Sequence, residues 1–337
     1  MPKDNINVLV AGAGGFTGGF IVSEGIRRGY SLWAGIRPST SREYLTDKAI
    51  QFADIDYSSP ESVARSLAAA APEGGWKWIV YNVGLTKALR FSDFSNVNYG
   101  CLRNFTEGLK IAGLVPEKLL YMSSLSVMGP GRKGSYEPFT EKMIPRPDTQ
   151  YGTSKLKAEM WLATAGIPHI IFRPTGVYGP RDNDYYLMYK SIARGFDFTA
   201  GLRRQLLSFI YVEDLARAVY DALWRSATPA TYNIGEGKAY SQKEFRKIVC
   251  RKLGKKFVMP VAAPLWLVKA VCTVSEKIGI LRLKPSTLNR DKYNILRQRN
   301  WNIDISHARE GFGFKPQVSL EQGIAESIEW NRLNNRL

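Results

Sequence analysis

Tyr151 and Lys155 stand four residues apart in the segment Tyr-Gly-Thr-Ser-Lys. On a helix, side chains at positions i and i+4 project from one face, so a phenol and an ammonium would lie side by side. The positive charge favours the phenolate and lowers the pKa of the tyrosine. Tyr151 could then exchange a proton with a substrate alcohol or carbonyl near neutral pH. Because Tyr-x-x-x-Lys also occurs by chance as a surface pair, its weight depends on the neighbouring motifs.

A glycine-rich turn and a serine supply that context. Gly12, Gly15 and Gly18 form G-x-x-G-x-x-G between the first predicted strand and the first predicted helix. Glycines there permit a tight turn and a close approach of backbone N–H groups to a pyrophosphate at the positive end of the helix dipole. Ser124, which ends the fifth predicted strand, would lie at the same sheet edge. The pattern predicts a nucleotide site beside a proton-transfer site.

The end of the second predicted strand indicates which dinucleotide would bind. An NAD site places Asp or Glu there to accept from the ribose 2′-hydroxyl, whereas this chain has Arg37. A planar guanidinium pairs with phosphate oxygens, so Arg37 favours the 2′-phosphate of NADP, with NAD and a plain surface arginine as the alternatives. Asp54 and Ile55, which end the third predicted strand, would flank the adenine.

The elements that would position these residues alternate regularly along the first half of the chain. Short apolar runs predict buried parallel strands, and capped segments with apolar residues at helical spacing predict helices. The predicted strands are 6–11, 31–37, 51–56, 76–84, 118–129 and 169–174, and the predicted helices are 17–28, 59–70, 96–112 and 149–165. This alternation predicts an α/β fold with a doubly wound parallel sheet of the Rossmann type.

Beyond residue 180 the alternation loosens. Helices are predicted at 209–224, 241–254 and 264–281, with a short strand at 231–237. We therefore expect residues 1–180 to form the dinucleotide-binding domain, with sheet elements returning around 205–237. Residues 181–337 would form a smaller, mostly helical substrate lobe that is interleaved with it.

Composition indicates a globular protein. The 337 residues are 45% hydrophobic and 23% charged, which excludes a disordered or fibrous chain. The three cysteines are far apart in the sequence and form no zinc motif, which suits a reducing compartment; they are Cys101, Cys250 and Cys272. Because the chain has only two histidines, no metal site is expected. The start lacks a signal-peptide pattern, and the apolar run 257–268 is too short to span a bilayer, so a cytoplasmic protein is expected.

Basic charge is concentrated in one stretch. The chain has 47 Lys and Arg against 30 Asp and Glu, a net charge of +17. Residues 238–299 hold 16 of the basic residues and 3 acidic ones, a net charge of +13. Such a region can bind anionic lipid, nucleic acid or an anionic substrate, or it can be a solvated surface. Since no nucleic-acid motif accompanies the charge, nucleic acid is not an expected partner.

Four motifs, taken in order, give the chain a family resemblance. GAGGFTG (12–18), SSLSVMG (123–129), YGTSK (151–155) and RPTGVYGPR (173–181) resemble the extended short-chain dehydrogenase/reductase superfamily, which includes the NAD-dependent epimerases and dehydratases. The segments 204–218 and 306–330 resemble its steroid dehydrogenase and dihydroflavonol reductase-like branch. The resemblance covers nearly the whole chain and implies a nicotinamide-dependent oxidoreductase.

The resemblance implies a role for each matching residue. Ser124 would hydrogen-bond the reacting oxygen, Tyr151 would be the acid/base, and Lys155 would bind the nicotinamide ribose. Asn98 would lie behind the cofactor. The other implied cofactor contacts are Gly12, Gly15, Phe16, Thr17, Gly18, Arg37, Asp54, Ile55, Asn82, Val83, Gly84, Pro174, Thr175, Gly176 and Val177. The implied substrate contacts are Thr86, Ser126, Met128 and Tyr178.

The branch and one helix together predict the substrate class. The branch implies reduction, with NADP, of a ketone on a lipid-like molecule such as a 3-oxo sphingoid base or a steroid. The predicted helix 264–281 carries a broad apolar face inside the basic stretch. That combination is typical of a helix lying on an anionic membrane, and it also suits a lid over an apolar pocket.

Two other functions stay open. A nucleotide-sugar epimerase or reductase would use the same three catalytic residues, whereas Leu125 and Ser126 stand where a dehydratase usually has an acidic pair. A non-catalytic NADP sensor commonly lacks the tyrosine or the lysine, and this chain has both. The resemblance also suggests a homodimer formed through helices 96–112 and 149–165.

Overall fold

A computed structural model of the chain describes residues 6–132, 134–284 and 286–337. Within these residues the strands are β1 (Asn7–Ala11), β2 (Ser31–Ile36), β3 (Gln51–Asp54), β4 (Trp78–Tyr81), β5 (Lys118–Met122), β6 (His169–Pro174), β7 (Gly176–Tyr178), β8 (Phe196–Ala200), β9 (Leu206–Tyr211), β10 (Ala230–Ile234), β11 (Ala239–Ser241) and β12 (Met259–Ala263). The helices are α1 (Phe16–Arg27), α2 (Pro60–Ala70), α3 (Phe91–Phe94), α4 (Cys101–Ile111), α5 (Gln150–Thr164), α6 (Asp184–Ala193), α7 (Val212–Arg225), α8 (Gln242–Leu253), α9 (Leu265–Leu281), α10 (Arg290–Arg297), α11 (Ser306–Phe312) and α12 (Leu320–Leu333).

Seven strands form the large sheet, in the order β10-β6-β5-β4-β1-β2-β3. Every pair in it is parallel. The first six strands follow the doubly wound order of the Rossmann fold, so the fold predicted from the sequence is confirmed. In this topology the strand order reverses between β1 and β4, and this reversal opens a crevice at the carboxyl ends of the strands.

Apolar side chains cover both faces of the sheet. On one face, Ile21 and Val22 of α1 pack with Leu215 and Val219 of α7 against β1, β4 and β5. On the other face, α2, α4 and α5 bury a second set of apolar residues against the same strands. Strands covered on both faces are the physical reason for the continuous apolar runs that the sequence shows.

A third apolar cluster holds the C-terminal region together. Tyr178, Phe209 and Phe245 are central to it. Two small sheets lie in this region, one in the order β11-β9-β7 and one that pairs β12 with β8. Among the described residues, no helix is both long and apolar enough to cross a membrane.

Two predicted elements are wrong in their bounds. The strand predicted at 118–129 ends at Met122, because Ser124 accepts a hydrogen bond from Ser126 N and turns the chain into a 3-10 helix at Leu125–Met128. The helix predicted at 209–224 begins at Val212, because Phe209 to Tyr211 pair with β7 as strand β9. The remaining strands and helices of the first half lie where the sequence predicts them, to within a few residues.

Candidate active site

The glycine turn joins β1 to α1 in a conformation that only glycine accommodates. Gly12 has a φ of +83°, and a Cβ there would lie 2.8 Å from the carbonyl carbon of Asn82. A Cβ on Gly18 would overlap the carbonyl oxygen of Gly12 and lie 2.9 Å from the Cα of Ala13. One side of the turn is therefore packed against the start of α1 and the chain that follows β4. The other side is open to a ligand.

Asn82 connects this turn to the end of β4. Thr17 Oγ1 donates to Asn82 Oδ1 over 3.0 Å, and Asn82 Nδ2 donates to Gly12 O over 3.4 Å. The first turn of α1 holds no acidic residue, and its N-terminus has no side-chain cap. Its free N–H groups and positive dipole end therefore suit an anion such as a pyrophosphate.

Tyr151 and Ser124 meet at the carboxyl edge of β5. Burial raises the pKa of Tyr151 to about 12, although the nearby Ser124 hydroxyl lowers it. The sequence predicted a lowered pKa, and this expectation is wrong for the protein alone, because desolvation of the phenolate outweighs the effect of the serine. A protonated phenol at neutral pH is the state needed to donate a proton.

Lys155 lies one helical turn beyond Tyr151 and is buried. Its Nζ donates to Met122 O over 2.8 Å and lies 5.0 Å from the centre of the Tyr121 ring. Burial lowers its pKa to about 7, and the carboxylate of Glu159 partly opposes that shift. A Cβ on Gly84 would lie 3.0 Å from this Nζ, so the chain after β4 passes directly over the lysine.

Asn98 fixes that chain to the catalytic helix. It is fully buried in the π-helical segment Ser95–Gly100 that leads into α4. Its Oδ1 accepts from Leu85 N over 2.7 Å, and its Nδ2 donates to Leu85 O and to Ser154 Oγ. Ser154 Oγ in turn donates to Tyr151 O over 2.7 Å. That Asn98 would lie behind a bound cofactor stays a prediction.

The start of the catalytic helix rests on a distant carboxylate that sequence reasoning missed. Thr149 caps α5 by accepting from Gly152 N over 2.9 Å. Asp291 of α10 accepts from Gln150 N and from Tyr151 N, each over 3.0 Å. No local signal marks this residue, because it lies 140 positions from the tyrosine it contacts.

A buried ion pair beneath the site was also missed. Glu159 and Arg173 are 5% and 7% exposed, and Arg173 Nη2 donates to Glu159 Oε2 over 2.6 Å. Ser123 donates to the other carboxylate oxygen of Glu159. Glu159 stands four residues after Lys155 on the same helix face, so the helical spacing could have revealed it.

The end of β2 carries the residues predicted to select the dinucleotide. Arg37 is exposed, and its backbone N donates to Thr40 Oγ1 over 3.2 Å. Asp54 is exposed and lies 3.7 Å from the guanidinium of Arg42, whereas Ile55 is fully buried. The structure therefore leaves Arg37 available to solvent at this edge.

Arg181 lies beside the glycine turn and was not among the predicted contacts. Its guanidinium lies over the rings of Phe20 and Tyr44, at 4.8 Å and 4.1 Å from their centres. A Cβ on Gly19 would lie 3.6 Å from its Nη1. Its place at the end of the motif 173–181 was the available signal.

The remaining predicted contacts fall into two groups. Pro174 ends β6 at the carboxyl edge of the sheet, and Gly176 and Val177 begin β7. Thr175 joins the two strands, and its N donates to Ile234 O over 3.0 Å. Met128 is buried, with Arg173 Nη1 lying 3.5 Å from its sulfur, and Tyr178 is buried among aromatic rings. Thr86 is exposed and Ser126 is half-buried. The roles of these residues toward a ligand stay predictions.

The sequence pattern of the NAD dependent epimerase/dehydratase family matches residues 8–235. The chain belongs to this family. The resemblance seen in the four motifs is thereby confirmed, and the matched region contains the glycine turn, Ser124, Tyr151 and Lys155. Family members, by the family's description, are NAD-dependent epimerases and dehydratases.

The individual relatives share low sequence identity with this chain. The dTDP-glucose 4,6-dehydratase of Escherichia coli is 26% identical over 206 residues, which are 59% of this chain and 52% of that protein. The chain thus spans about half the length of that relative.

Two solved structures share its fold. One is a UDP-glucose 4-epimerase of Thermotoga maritima with UDP-glucose, with a TM-score of 0.77 and 21% identity, covering 98% of this chain and 100% of that one. The other is a UDP-glucose 4-epimerase of Thermus thermophilus with NAD, with a TM-score of 0.75 and 21% identity, covering 97% and 99%.

Proposed function

We propose that the chain is a nicotinamide-dependent enzyme that oxidises a hydroxyl-bearing carbon of a nucleotide sugar, or reduces the corresponding ketone, at Tyr151. The observation that carries this proposal is the convergence of three side chains at one sheet edge. The Ser124 hydroxyl lies close enough to Tyr151 to lower the pKa of the phenol, and Lys155 lies one turn away on the same helix. The glycine turn that would hold a dinucleotide is at the carboxyl end of β1, in the same sheet.

The residues present fit a dinucleotide. Gly12 and Gly18 leave a cradle that a Cβ would fill, and the uncapped start of α1 suits the pyrophosphate. Arg181, beside this turn, would add a positive charge. When bound, the dinucleotide would supply the hydride acceptor or donor. Arg37 supports NADP, since a guanidinium at the end of β2 suits a 2′-phosphate, and NAD is the alternative.

The chain's own residues would move the proton. Ser124 would donate a hydrogen bond to the substrate oxygen and hold it against Tyr151. The phenol would give its proton to that oxygen during reduction, and the phenolate would take a proton from it during oxidation. Lys155, half-ionised near neutral pH because of burial, would favour the phenolate when protonated.

The nucleotide-sugar class is supported by the relatives and by a basic cavity. The relatives' names describe dTDP-glucose and UDP-glucose enzymes. Arg203, Arg204, Lys243 and Lys247, together with one acidic residue, Glu244, line an open cavity of about 590 Å³. Cations in such a cavity suit a diphosphate.

One wall of this cavity is linked to the catalytic helix. Gln205, which also lines it, donates to Gln298 O. Gln298 Nε2 donates to Asp148 Oδ1 over 3.0 Å, two residues before the helix begins. This chain of contacts would place a diphosphate held in the cavity on the side of the molecule where α5 starts.

A ketone on an apolar molecule is the second candidate. The observation that favours it is the exposed apolar face of α9, which lies on α10 next to the start of the catalytic helix. A lipid-borne substrate would be presented at such a face. The predicted substrate, a 3-oxo sphingoid base or steroid, belongs to this candidate.

The test compares both substrate classes in one assay. The dinucleotide released from denatured protein would be identified by chromatography, and activity would be measured with UDP- and dTDP-sugars and with 3-oxo sphingoid bases and steroids. We expect turnover of a nucleotide sugar that falls about 10³-fold in Tyr151→Phe while dinucleotide binding is kept. Tyr99→Phe is the matched control, because that ring packs on Trp161 away from the site.

Each other result contradicts the main proposal. Turnover of a lipid ketone alone would establish the second candidate. Retained dinucleotide with no turnover of either class would support a non-catalytic sensor. Equal activity in Tyr151→Phe and the unaltered protein would remove Tyr151 from the chemistry.

A further inference from the structure

One face of α9 presents a continuous apolar stripe to solvent. Its five members are spaced four, three, four and three residues apart, so at 3.6 residues per turn they fall within an arc of about 80°. They are Leu267, Val271, Val274, Ile278 and Leu281. Each of the five is between 41% and 83% exposed. We call these five residues the outer stripe.

The rest of the helix explains why this face is free. Cys272 and Gly279 are its buried residues, and they lie on the side that packs toward α10 and the chain before it. Ser275 Oγ and Ser286 Oγ share a hydrogen bond on that side. A lid helix packed over a pocket would bury its apolar face, whereas α9 buries two small residues and exposes the large ones.

Two large apolar residues extend the outer stripe at its ends. Trp266, in the first turn, is 72% exposed, and Leu283, just after the helix, is 77% exposed. Contiguous apolar patches of this kind are rare on soluble proteins and mark interaction surfaces. Tryptophan in particular is enriched at the boundary between water and lipid.

Positive charge lies beside the outer stripe and at its C-terminal end. Lys277 is exposed about 40° beyond the edge of the stripe, and Arg282 and Lys284 follow the helix directly. Lys269 is exposed farther round the helix. The one acidic residue of the helix, Glu276, is paired with Arg290 over 3.4 Å. Since residues 238–299 carry a net charge of +13, this whole region attracts an anionic surface.

We propose that the outer stripe docks on an anionic phospholipid bilayer. The apolar side chains would enter the boundary between headgroups and acyl chains, and the flanking lysines and arginines would contact the lipid phosphates. Charge complementarity selects this occupant, because an uncharged apolar partner would leave the four cations unused. The proposal does not depend on the substrate, since docking is a property of the surface.

Docking would bring the membrane close to the catalytic helix. α9 packs on α10, and Asp291 of α10 accepts hydrogen bonds from the first two residues of α5. Only α10 therefore separates the docked face from the start of the helix that carries Tyr151. A substrate held in the membrane would meet the enzyme on this side.

Vesicle sedimentation tests the docking proposal. The purified full chain would be spun with vesicles of phosphatidylcholine alone or with about 30% phosphatidylglycerol. We expect the partition coefficient to be at least about tenfold higher for the anionic vesicles and to fall in high salt. Val274→Ser/Ile278→Ser/Leu281→Ser is expected to lower it about tenfold or more. Lys277→Gln/Arg282→Gln is expected to lower it about 25-fold, at about fivefold per cation.

A matched triple variant controls for general loss of apolar surface. Ile144, Leu187 and Leu333 are exposed apolar residues on other elements, and their combined change to serine is expected to leave the partition coefficient unchanged. Circular dichroism and thermal unfolding would show that both triple variants fold.

Three outcomes overturn the docking proposal. The first is no sedimentation of the unaltered protein with any vesicle. The second is an equal loss in both triple variants. The third is that the unaltered protein does not bind vesicles and is a dimer in sedimentation velocity, whereas the outer-stripe variant is a monomer. A second copy of the chain would then cover the face.

Discussion

The carboxylate of Asp291 accepts hydrogen bonds from the backbone N–H groups of Gln150 and Tyr151, each over 3.0 Å. These are the first two N–H groups of α5, which have no partner within the helix. An anion at this end also meets the positive pole of the helix dipole. A residue from the basic C-terminal stretch thus fixes the turn that carries the Tyr151 phenol.

Asp291→Ala is expected to lower kcat about tenfold while the dissociation constant of the dinucleotide stays unchanged. Without the carboxylate the first turn of α5 frays, and a small displacement of Tyr151 is costly for proton transfer. Loss of the cap should also lower the free energy of unfolding by about 1 kcal/mol. Steady-state kinetics, dinucleotide titration and urea unfolding measure the three quantities.

Asp304→Ala is the matched control for Asp291→Ala. Asp304 accepts from Ser306 N over 2.7 Å and supports the start of α11, away from the site. It should show a similar loss of stability with no change in kcat. If both variants lower kcat equally, Asp291 has only a structural role.

Lys155 is expected to make the protein more stable as pH rises from 7 toward 9. Its pKa is about 7 in the folded protein and 10.5 ordinarily, because burial disfavours the charged form. Between these values the unfolded chain binds a proton at this lysine that the folded chain has released, so the free energy of unfolding rises with pH. Relative to Lys155→Met, the unaltered protein should gain about 2 kcal/mol between pH 7 and 9.

Urea unfolding at a series of pH values measures this difference. Subtracting the curve of Lys155→Met removes the titration of all other groups. Lys157→Met is the control for loss of a lysine from the same helix, because Lys157 is exposed. A difference for Lys155 that does not change with pH would show that it keeps an ordinary pKa in the folded protein.

The sequence could predict what depends on local pattern. Strands β1 and β2 and the turn between β1 and α1 follow from apolar runs and glycine spacing, and the structure has them. Tyr151 and Lys155 follow from the spacing of four on a capped helix. The matched family region, 8–235, holds all of these elements except Asn7, the first residue of β1.

The features that the sequence could not predict depend on contacts between residues that are distant in the chain. The hydrogen bond between Asp291 and Tyr151 spans 140 residues, so no window of sequence contains both ends. The direction of the pKa shift of Tyr151 was wrong because helical spacing shows the neighbouring cation but not the depth of burial. The strand predicted at 118–129 was too long because apolar content alone does not reveal that Ser124 turns the chain.

Gly12→Ala is expected to abolish dinucleotide binding. A Cβ there would lie 2.8 Å from both Asn82 C and Val83 N, and φ is +83°, so the turn must open to accept it. Opening the turn displaces the N–H groups of α1 that would hold the pyrophosphate. We expect affinity for the dinucleotide to fall by about 100-fold or more, measured by calorimetry.

Gly74→Ala separates backbone strain from crowding. Gly74 also has a positive φ, +75°, but a Cβ there meets nothing within 4 Å. It should lose about 1 kcal/mol of stability and keep its affinity for the dinucleotide. If Gly12→Ala binds the dinucleotide with unchanged affinity, the pyrophosphate does not lie against this turn.

Arg37 is expected to determine the choice of dinucleotide. It is exposed at the end of β2, where an acidic residue would accept from the ribose of NAD and a guanidinium would pair with the 2′-phosphate of NADP. Arg37→Ser should therefore lower the affinity for NADP about tenfold or more and leave the affinity for NAD unchanged. Arg65→Ser is the control and should leave both affinities unchanged, because Arg65 is exposed on α2, where it donates to Ser62 Oγ over 3.0 Å. If the unaltered protein binds NAD more tightly than NADP in the same titration, the assignment of NADP is wrong and Arg37 is a surface residue.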